Sequence, residues 1–329
     1  MVTSRRPSIE IDLNAAIVAV ETRQPLILVV HSSDPRQPDG LPFGPFDPLA
    51  HRTFEAGLRS WVAEQTALKI GYVEQLYTFG DHGRHVVPGD AGAHMVSVGY
   101  LALTRPSEGS SRALARAGAL WRRWYEYFPW EDWREGRPDI LDNQLLPALR
   151  RWARGRPAAS DAVRPLGRRE RLKLAFGEEG GPWDEERVLE RYELLYGAGL
   201  VTEAMHGDQS NSPAPRTPPP FGVPMRFDHR RILATAISRL RAKLKYRPVI
   251  FELMPVEFTL TDLQRTVEAI SGRHLHKQNF RRLVERSALL EPTGKLAQQE
   301  RGRPAELFRF RREVLKERPA PGLKFGTRA

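Results

Sequence analysis

The sequence predicts an α+β multidomain chain, and three observations predict it. Short apolar runs with strand-like alternation fill the first hundred residues around one helical stretch. Helical periodicity dominates from residue 106 to 206. The last hundred residues follow a helix, turn, helix, turn, strand order and hold all of the excess positive charge. With 329 residues the chain has room for two or three domains with cores of their own.

Composition narrows the function classes. Hydrophobic residues make up 40% of the chain and charged residues 28%, and cysteine is absent. A disulfide framework and a thiolate metal site are therefore excluded, and a cytoplasmic address is expected. The longest apolar stretch near the start, residues 25–30, falls far short of the ~20 residues that a membrane span needs. A soluble protein with no membrane partner is expected. The net charge is +11. Residues 226–329 contain 24 Lys+Arg and 11 Asp+Glu, whereas the other 225 residues contain 27 and 29. This asymmetry suggests a polyanion-binding module joined to a nearly neutral body, against the plainer reading of a basic surface that is merely solvated.

Residues 1–105 form the first unit. Strands are expected at 14–20, 26–30, 73–79 and 95–103. A turn-rich segment carries Pro35, Pro38, Gly40, Pro42, Gly44, Pro45 and Pro48. The helix expected at 50–68 places Phe54, Leu58, Trp61, Val62 and Leu68 near helical spacing. Residues 106–206 form a helical middle segment, with helices expected at 113–128, 144–153, 164–176 and 183–200. Its aromatics, Trp121, Trp124, Tyr125, Tyr127, Phe128, Trp130 and Trp133, have the spacing of core or interface residues. Residues 207–224, with Pro218, Pro219 and Pro220 consecutive, have the composition of a semi-rigid linker. Residues 225–329 open with an amphipathic helix. Its stripe is Ile232, Leu233, Ala236, Ile237, Leu240 and Leu244, and Arg230, Arg231, Arg239, Arg241 and Lys245 lie off it.

The chemistry concentrates after Phe258. Thr259-Leu260-Thr261-Asp262 has capping-box spacing, so a helix should begin there. Leu263, Val267 and Ile270 supply its buried face, and Gly272 suits a left-handed helix end. A second helix is expected at 277–287, with Phe280, Leu283 and Val284 inward. Outward it presents Lys277, Gln278, Asn279, Arg281, Arg282 and Arg286. The major groove admits one helix; Arg pairs bidentately with guanine, and Gln or Asn with adenine. Residues 291–294 have turn composition. Arg301-Gly302-Arg303-Pro304 is a second, basic turn before a strand at 307–310. Two strands with a basic loop between them make a wing that touches phosphates. The DNA-binding set is therefore Thr259, Lys277, Gln278, Asn279, Arg281, Arg282, Arg286, Arg301 and Arg303.

These residues carry a resemblance. Tyr246-Arg-Pro, Glu252-Leu-Met-Pro, Phe258-Thr-Leu-Thr-Asp-Leu-Gln, Lys277-Gln-Asn-Phe-Arg-Arg, Gly302-Arg-Pro-Ala and Leu307-Phe-Arg-Phe occur in order with short spacers. They resemble the winged-helix domain of Nudix-related transcriptional regulators, which control NAD metabolism in bacteria. The resemblance implies a C-terminal winged helix-turn-helix behind a Nudix-like α/β/α domain. Leu41-Pro-Phe-Gly-Pro-Phe46 and Val73-Glu-Gln-Leu-Tyr-Thr-Phe-Gly-Asp81 are similar to parts of that domain. Over the whole chain the resemblance is greatest to the divergent Nudix-like NAD regulators of alphaproteobacteria (NadQ type).

The Nudix signature sets carboxylates one turn apart on a helix to hold magnesium beside a pyrophosphate. Here its arginine-glutamate pair falls on Ser60 and Trp61, its glutamate pair on Glu64 and Gln65, and its glycine on Ala67. A shift by one puts Arg59 on the arginine and leaves Ser60 on the first glutamate. At most one metal-ligating carboxylate survives, so the domain is degenerate: no catalytic residue, no metal ligand and no cofactor are expected. The resemblance implies instead an adenine nucleotide effector (NAD, ADP-ribose or ATP) held by Phe43, Gly44, Phe46, Glu64 and Phe79.

The function expected is a repressor of NAD biosynthesis or salvage genes. It would bind double-stranded DNA at a palindromic operator as a homodimer, with the aromatic segment and the 230–245 helix as candidate dimer faces. The alternative is an active Nudix-type hydrolase with an appended DNA-binding domain, which Ser60, Trp61, Gln65 and Ala67 argue against. A third reading, binding of RNA or a membrane surface by the basic tail, is disfavoured because the basic residues sit on helices and not in one run. His82, His85 and His94 match no zinc spacing.

Overall fold

The computed structural model describes residues 9–81, 94–106, 110–157, 161, 164–205, 221–246, 249–297 and 304–311. Most of the expected linker, residues 206–220, lies outside the described residues, as do His82, His85, Arg301 and Arg303.

The N-terminal part is an α/β/α layered unit. Its sheet contains β1 (Ile9–Glu21), β2 (Gln24–Val30), β3 (Phe43–Pro45), β4 (Tyr72–Phe79), β5 (His94–Leu103) and β6 (Ala119–Arg123). The order is β4-β5-β1-β2-β6, with β3 paired to β1. Among the described strands of this sheet only β1 and β5 run parallel; Asn14 faces Gly99 across their ladder and Phe43 across the β1–β3 ladder. Thirteen-residue β1 is buried from Asp12 to Ala19; its first half alternates apolar and polar residues, and the run at 15–20, covered on both faces, is continuously apolar.

Residues of β1 alternate between two cores. Leu13, Ala15 and Ile17 pack with Leu58 and Val62 of helix α1 (Phe54–Thr66). Ala16 and Val18 pack with Ile232, Leu233 and Ile237 of helix α6 (His229–Tyr246). Between these come α2 (Ser110–Arg116), α3 (Leu146–Arg154), α4 (Arg168–Phe176) and α5 (Val188–Gly197).

Three expectations change here. The helix expected at 113–128 divides: α2 stops at Arg116, Gly118 takes a positive φ of 73°, and Ala119–Arg123 becomes the edge strand β6 against β2. Sheet pairing overrides the helical spacing of its aromatics. Second, helix α6, grouped by sequence with the C-terminal region, is the second covering layer of the sheet. Two of its off-stripe arginines, Arg230 and Arg241, are buried among the core side chains. Arg231 is tied to Asp81, Asp228 and Glu193. Part of the C-terminal charge excess is thus consumed internally. Third, Trp124, Tyr125, Tyr127, Phe128 and Trp130 are buried within one chain. The core reading of the aromatics holds, and they offer no free dimer face.

The C-terminal part is a winged helix: α7 (Leu260–Ser271), α8 (Lys277–Ser287), and a small sheet in the order β7-β9-β8 from Phe258–Thr259, Ala305–Phe310 and Leu290–Ala297. The turn expected at 291–294 is a bulge inside β8, where the register slips between Pro292 and Leu296 and Gly294 takes φ 75°. Phe258, Leu263, Ile270, Phe280 and Phe310 belong to the same core cluster as the α6 face of the sheet. The winged helix is therefore packed onto the body. No described helix is long and apolar enough to cross a membrane.

Candidate nucleic-acid interface and N-terminal site

Helix α7 begins where the capping box requires. Thr259 Oγ1 accepts the Asp262 N–H at 3.1 Å, and the Asp262 carboxylate accepts the Thr259 N–H at 3.0 Å. The helix closes at Gly272 with φ 73°. Glu268 fixes the turn that follows: its carboxylate accepts the Leu275 N–H at 2.9 Å and the Gln264 amide at 3.0 Å. Sequence reading missed Gln264 and Glu268. Their four-residue spacing on a helix was the available signal.

Helix α8 sets Phe280 into the core and leaves Val284 half-buried. Lys277, Gln278, Asn279, Arg281, Arg282 and Arg286 are all exposed. One helix thus presents Gln278, Asn279, Arg281 and Arg286 around Arg282, on the side away from Phe280, with Lys277 exposed in its first turn. Leu283, expected inside, is 65% exposed. Thr259, expected to touch DNA, is 6% exposed and spends its polar groups on the capping box. It positions α7 and has no free face for a phosphate. Arg309 and Lys295, on the wing strands, are paired with Glu291 and Glu257.

The body holds the end of α7 in place. Helix C-termini leave carbonyls without intrahelical partners. Here Tyr125 Oη donates to Ala269 O at 2.8 Å, Arg241 Nε to Ile270 O at 2.9 Å, and the Trp133 N–H to Gly272 O at 2.7 Å. A Cβ on residue 272 would come within 2.4 Å of Glu131 O, so only glycine allows this approach. Glu131 is buried and accepts Arg191 through both oxygens, at 2.6 and 2.9 Å, and Arg241 at 2.7 Å.

In the N-terminal unit, α1 and β3 are locked together. Trp61 Nε1 donates to Pro45 O at 2.9 Å, and the indole lies against Gly44 so closely that a Cβ there would stand 2.3 Å from it. Gln65 accepts the Phe43 N–H at 3.1 Å and donates to Phe43 O at 2.6 Å. Two residues standing where the Nudix signature has carboxylates therefore fasten a strand. Arg59 is held by Glu55 and donates to Gly71 O at 3.1 Å. Glu64 is exposed. Among the described residues no three His, Asp or Glu side chains come together in a way that would hold a metal ion.

The five residues expected to share one pocket are divided by the sheet. Phe46 packs against Phe54 on the α1 side, where Gly44 and Glu64 also lie. Phe79 is buried on the α6 side beneath the Arg231 guanidinium, at 4.9 Å. Phe43 joins that side, with ring contacts to His229 at 5.0 Å and Phe227 at 5.7 Å. A pocket between Glu64 and Phe79 is not what the structure builds. Arg226, Phe227 and His229 were missed because nothing local in the sequence links them to β3, nearly two hundred residues earlier.

Comparison with known proteins follows this geometry. Residues 250–310 match the family model described as the NrtR DNA-binding winged helix domain. The chain is 42% identical over 88 residues to the ADPR responsive transcriptional repressor NtrR of Acinetobacter baylyi. That match spans 26% of this chain and 34% of the relative, about a third of the relative's length. The fold is similar to that of Shewanella oneidensis NrtR crystallised with a 27mer DNA. The TM-score is 0.53 at 22% identity, over 93% of this chain and 95% of that one. The same protein without DNA gives 0.51 at 21% identity over 92% and 94%. At these identities the likeness is one of fold.

Proposed function

We propose, from a C-terminal domain of the NrtR winged-helix family, that this chain is a DNA-binding transcription repressor whose operator affinity is set by a nucleotide bound to the N-terminal unit. The observation that carries the reading is α8: one helix presenting Lys277, Gln278, Asn279, Arg281, Arg282 and Arg286 to solvent, on a domain packed into the body. That face suits a major groove. The effector class follows from the NtrR relative, which is named as ADPR responsive; ADP-ribose heads the set, before NAD and ATP. Genes of NAD biosynthesis or salvage are the proposed targets, read as a palindrome by a homodimer.

An enzymatic role is the second reading, and Trp61 and Gln65 weigh against it. Both side chains are spent on β3, and one exposed carboxylate, Glu64, cannot organise a metal cluster. The test has two arms. Sequencing DNA selected by the purified protein gives the operator, and Arg281→Ala and Arg282→Ala are then titrated at fixed salt. Each is expected to lose ~1–3 kcal/mol and relax one base pair. Wild-type affinity in both would remove α8 as the reading helix. Incubation with ADP-ribose, NAD and ATP plus magnesium is expected to give no turnover; turnover abolished by Glu64→Gln would restore the hydrolase.

A further inference from the structure

The N-terminal end of α6 holds a half-buried guanidinium whose Nε has no hydrogen-bond partner among the described residues. Arg226 stands three residues before the helix. Its backbone is fixed, with its N–H donating to Asp39 O and its O accepting the His229 N–H, both at 3.1 Å. Its side chain crosses Gly40, where any Cβ would come within 2.9 Å of Nε. It also crosses the Phe43 ring at 5.2 Å. Nε is shut from solvent and has no hydrogen-bond partner. The nearby carboxylate of Asp39 is engaged with His31 at 2.8 Å and reaches Arg122 at 3.8 Å. Among the described residues no carboxylate pairs with Arg226. Burial accordingly pulls its pKa down, with Asp39 offsetting only part of the effect.

Buried donors without partners are few in folded proteins, and each wants a cause. A partly buried cation without a counter-charge is costlier still. The surroundings supply a cause. Phe43 and Phe227 meet edge to face with their rings 5.7 Å apart, and Phe227 takes a left-handed φ of 49°. That backbone conformation is unfavourable for a bulky residue and is held at a cost. Across the ladder from Phe43, the fully buried Asn14 also has a side-chain oxygen with no partner. A cation, two rings and an orphaned amide oxygen converge at one corner of the body.

We propose that this corner seats the effector, a phosphorylated nucleoside: a phosphate oxygen accepts from Arg226, and the planar base lies against Phe43 and Phe227. The proposal rests on the nucleotide-sensor reading above and gives its site. It also supplies a route to the DNA-binding domain. Helix α6 starts beside this corner at His229 and carries Arg241 some twelve residues on, about 18 Å at 1.5 Å per residue. Arg241 is the residue that holds the end of α7.

The test is calorimetric titration of the whole chain with ADP-ribose, adenosine and inorganic pyrophosphate, with thermal melts of the unliganded protein. Arg226→Met is expected to weaken ADP-ribose at least tenfold and leave adenosine unchanged. The same variant should melt at the wild-type temperature or above it, because an apolar chain replaces an unsatisfied cation. Arg226→Lys should fall between, and Phe43→Leu should weaken adenosine and ADP-ribose alike. Wild-type affinity for ADP-ribose in Arg226→Met overturns the site while leaving the sensor reading intact. A melt several degrees lower, or failure to fold, assigns Arg226 a structural role and also overturns it. If the wild-type chain binds none of the three compounds, the sensor reading and this site fall together.

Discussion

Arg241 of α6 donates from Nε to the carbonyl oxygen of Ile270 in the last turn of α7, at 2.9 Å, with both residues closed off from solvent. The same guanidinium reaches Glu131, which Arg191 also grips. The winged helix is thus anchored through a buried carboxylate shared by two arginines. Arg241→Met should leave the Ile270 and Glu131 carbonyls without that donor and Glu131 held by Arg191 alone. Removing one partner of a buried pair costs about 3–5 kcal/mol. Urea unfolding should register a loss of that order. The double change Arg241→Met with Glu131→Leu should cost less than the sum of its parts, because the Arg241–Glu131 contact is lost in each single change and only once in the pair; Arg191 is left without its carboxylate in Glu131→Leu and in the double change alike. A loss under about 1 kcal/mol for the single change would mean that water relieves Glu131 and that the anchor is weak.

Asp12 gives a pH dependence. Burial, and secondarily the nearby Glu10 charge, raise its carboxyl to about 6. A folded-state value above the unfolded one means that the folded chain holds the proton more tightly. Asp12 therefore costs stability above pH 6 and ceases to do so as pH falls from 6 toward 4, opposite to an ion-paired carboxylate. Asp12→Asn should stabilise the protein at pH 8 by on the order of 2 kcal/mol and have little effect at pH 4. Equal effects at both values would show that Asp12 titrates normally.

The capping box makes a separable prediction. Thr259→Ala removes the oxygen that accepts the Asp262 N–H and should cost about 1 kcal/mol. Thr259→Ser should restore most of it. Thr259 is buried away from any phosphate, so operator affinity measured well below the melting temperature should keep its salt dependence. A salt slope lower by about one unit would make Thr259 a phosphate contact after all.

Local signals made the C-terminal domain legible. Thr259 and Asp262 stand three apart, Gly272 sits at the required left-handed position, and the exposed face of α8 is basic within eleven residues. Four of the six body strands were legible for the same reason, with boundaries short by up to five residues at the start of β1, whereas β3 lay in the turn-rich segment and β6 in an expected helix. What was hidden depends on long-range packing. Nothing near Arg241 announces Glu131, and Arg230 and Arg241 resemble a solvated face until Tyr127, Glu203, Glu131 and the end of α7 close over them. The residues expected to hold the effector are divided by strand parity. Phe43 and Gly44 are neighbours in sequence, yet one meets α6 and the other meets Trp61 of α1. Side chains on a strand alternate, so no single pocket takes both.

Leu283 is the last residue whose placement has a consequence. Sequence periodicity puts it inside with Phe280, yet it is 65% exposed on α8. By helical spacing it shares a flank with Asn279 and Arg286, at four residues before and three after. An isolated exposed leucine needs no explanation on an ordinary surface. On the major-groove helix that we propose α8 to be, it would meet one apolar feature of the bases, the C5-methyl of thymine. Leu283→Ala should weaken the operator by roughly 1 kcal/mol, the scale of one buried methylene or two. Replacing the contacted thymine by deoxyuridine removes only the methyl and should cost a similar amount. The two changes together should cost no more than either alone. Non-specific DNA should bind the variant as it binds the wild type. If every thymine-to-uracil exchange in the operator is neutral, or if Leu283→Ala weakens all DNA equally, the leucine serves packing or assembly and reads no base.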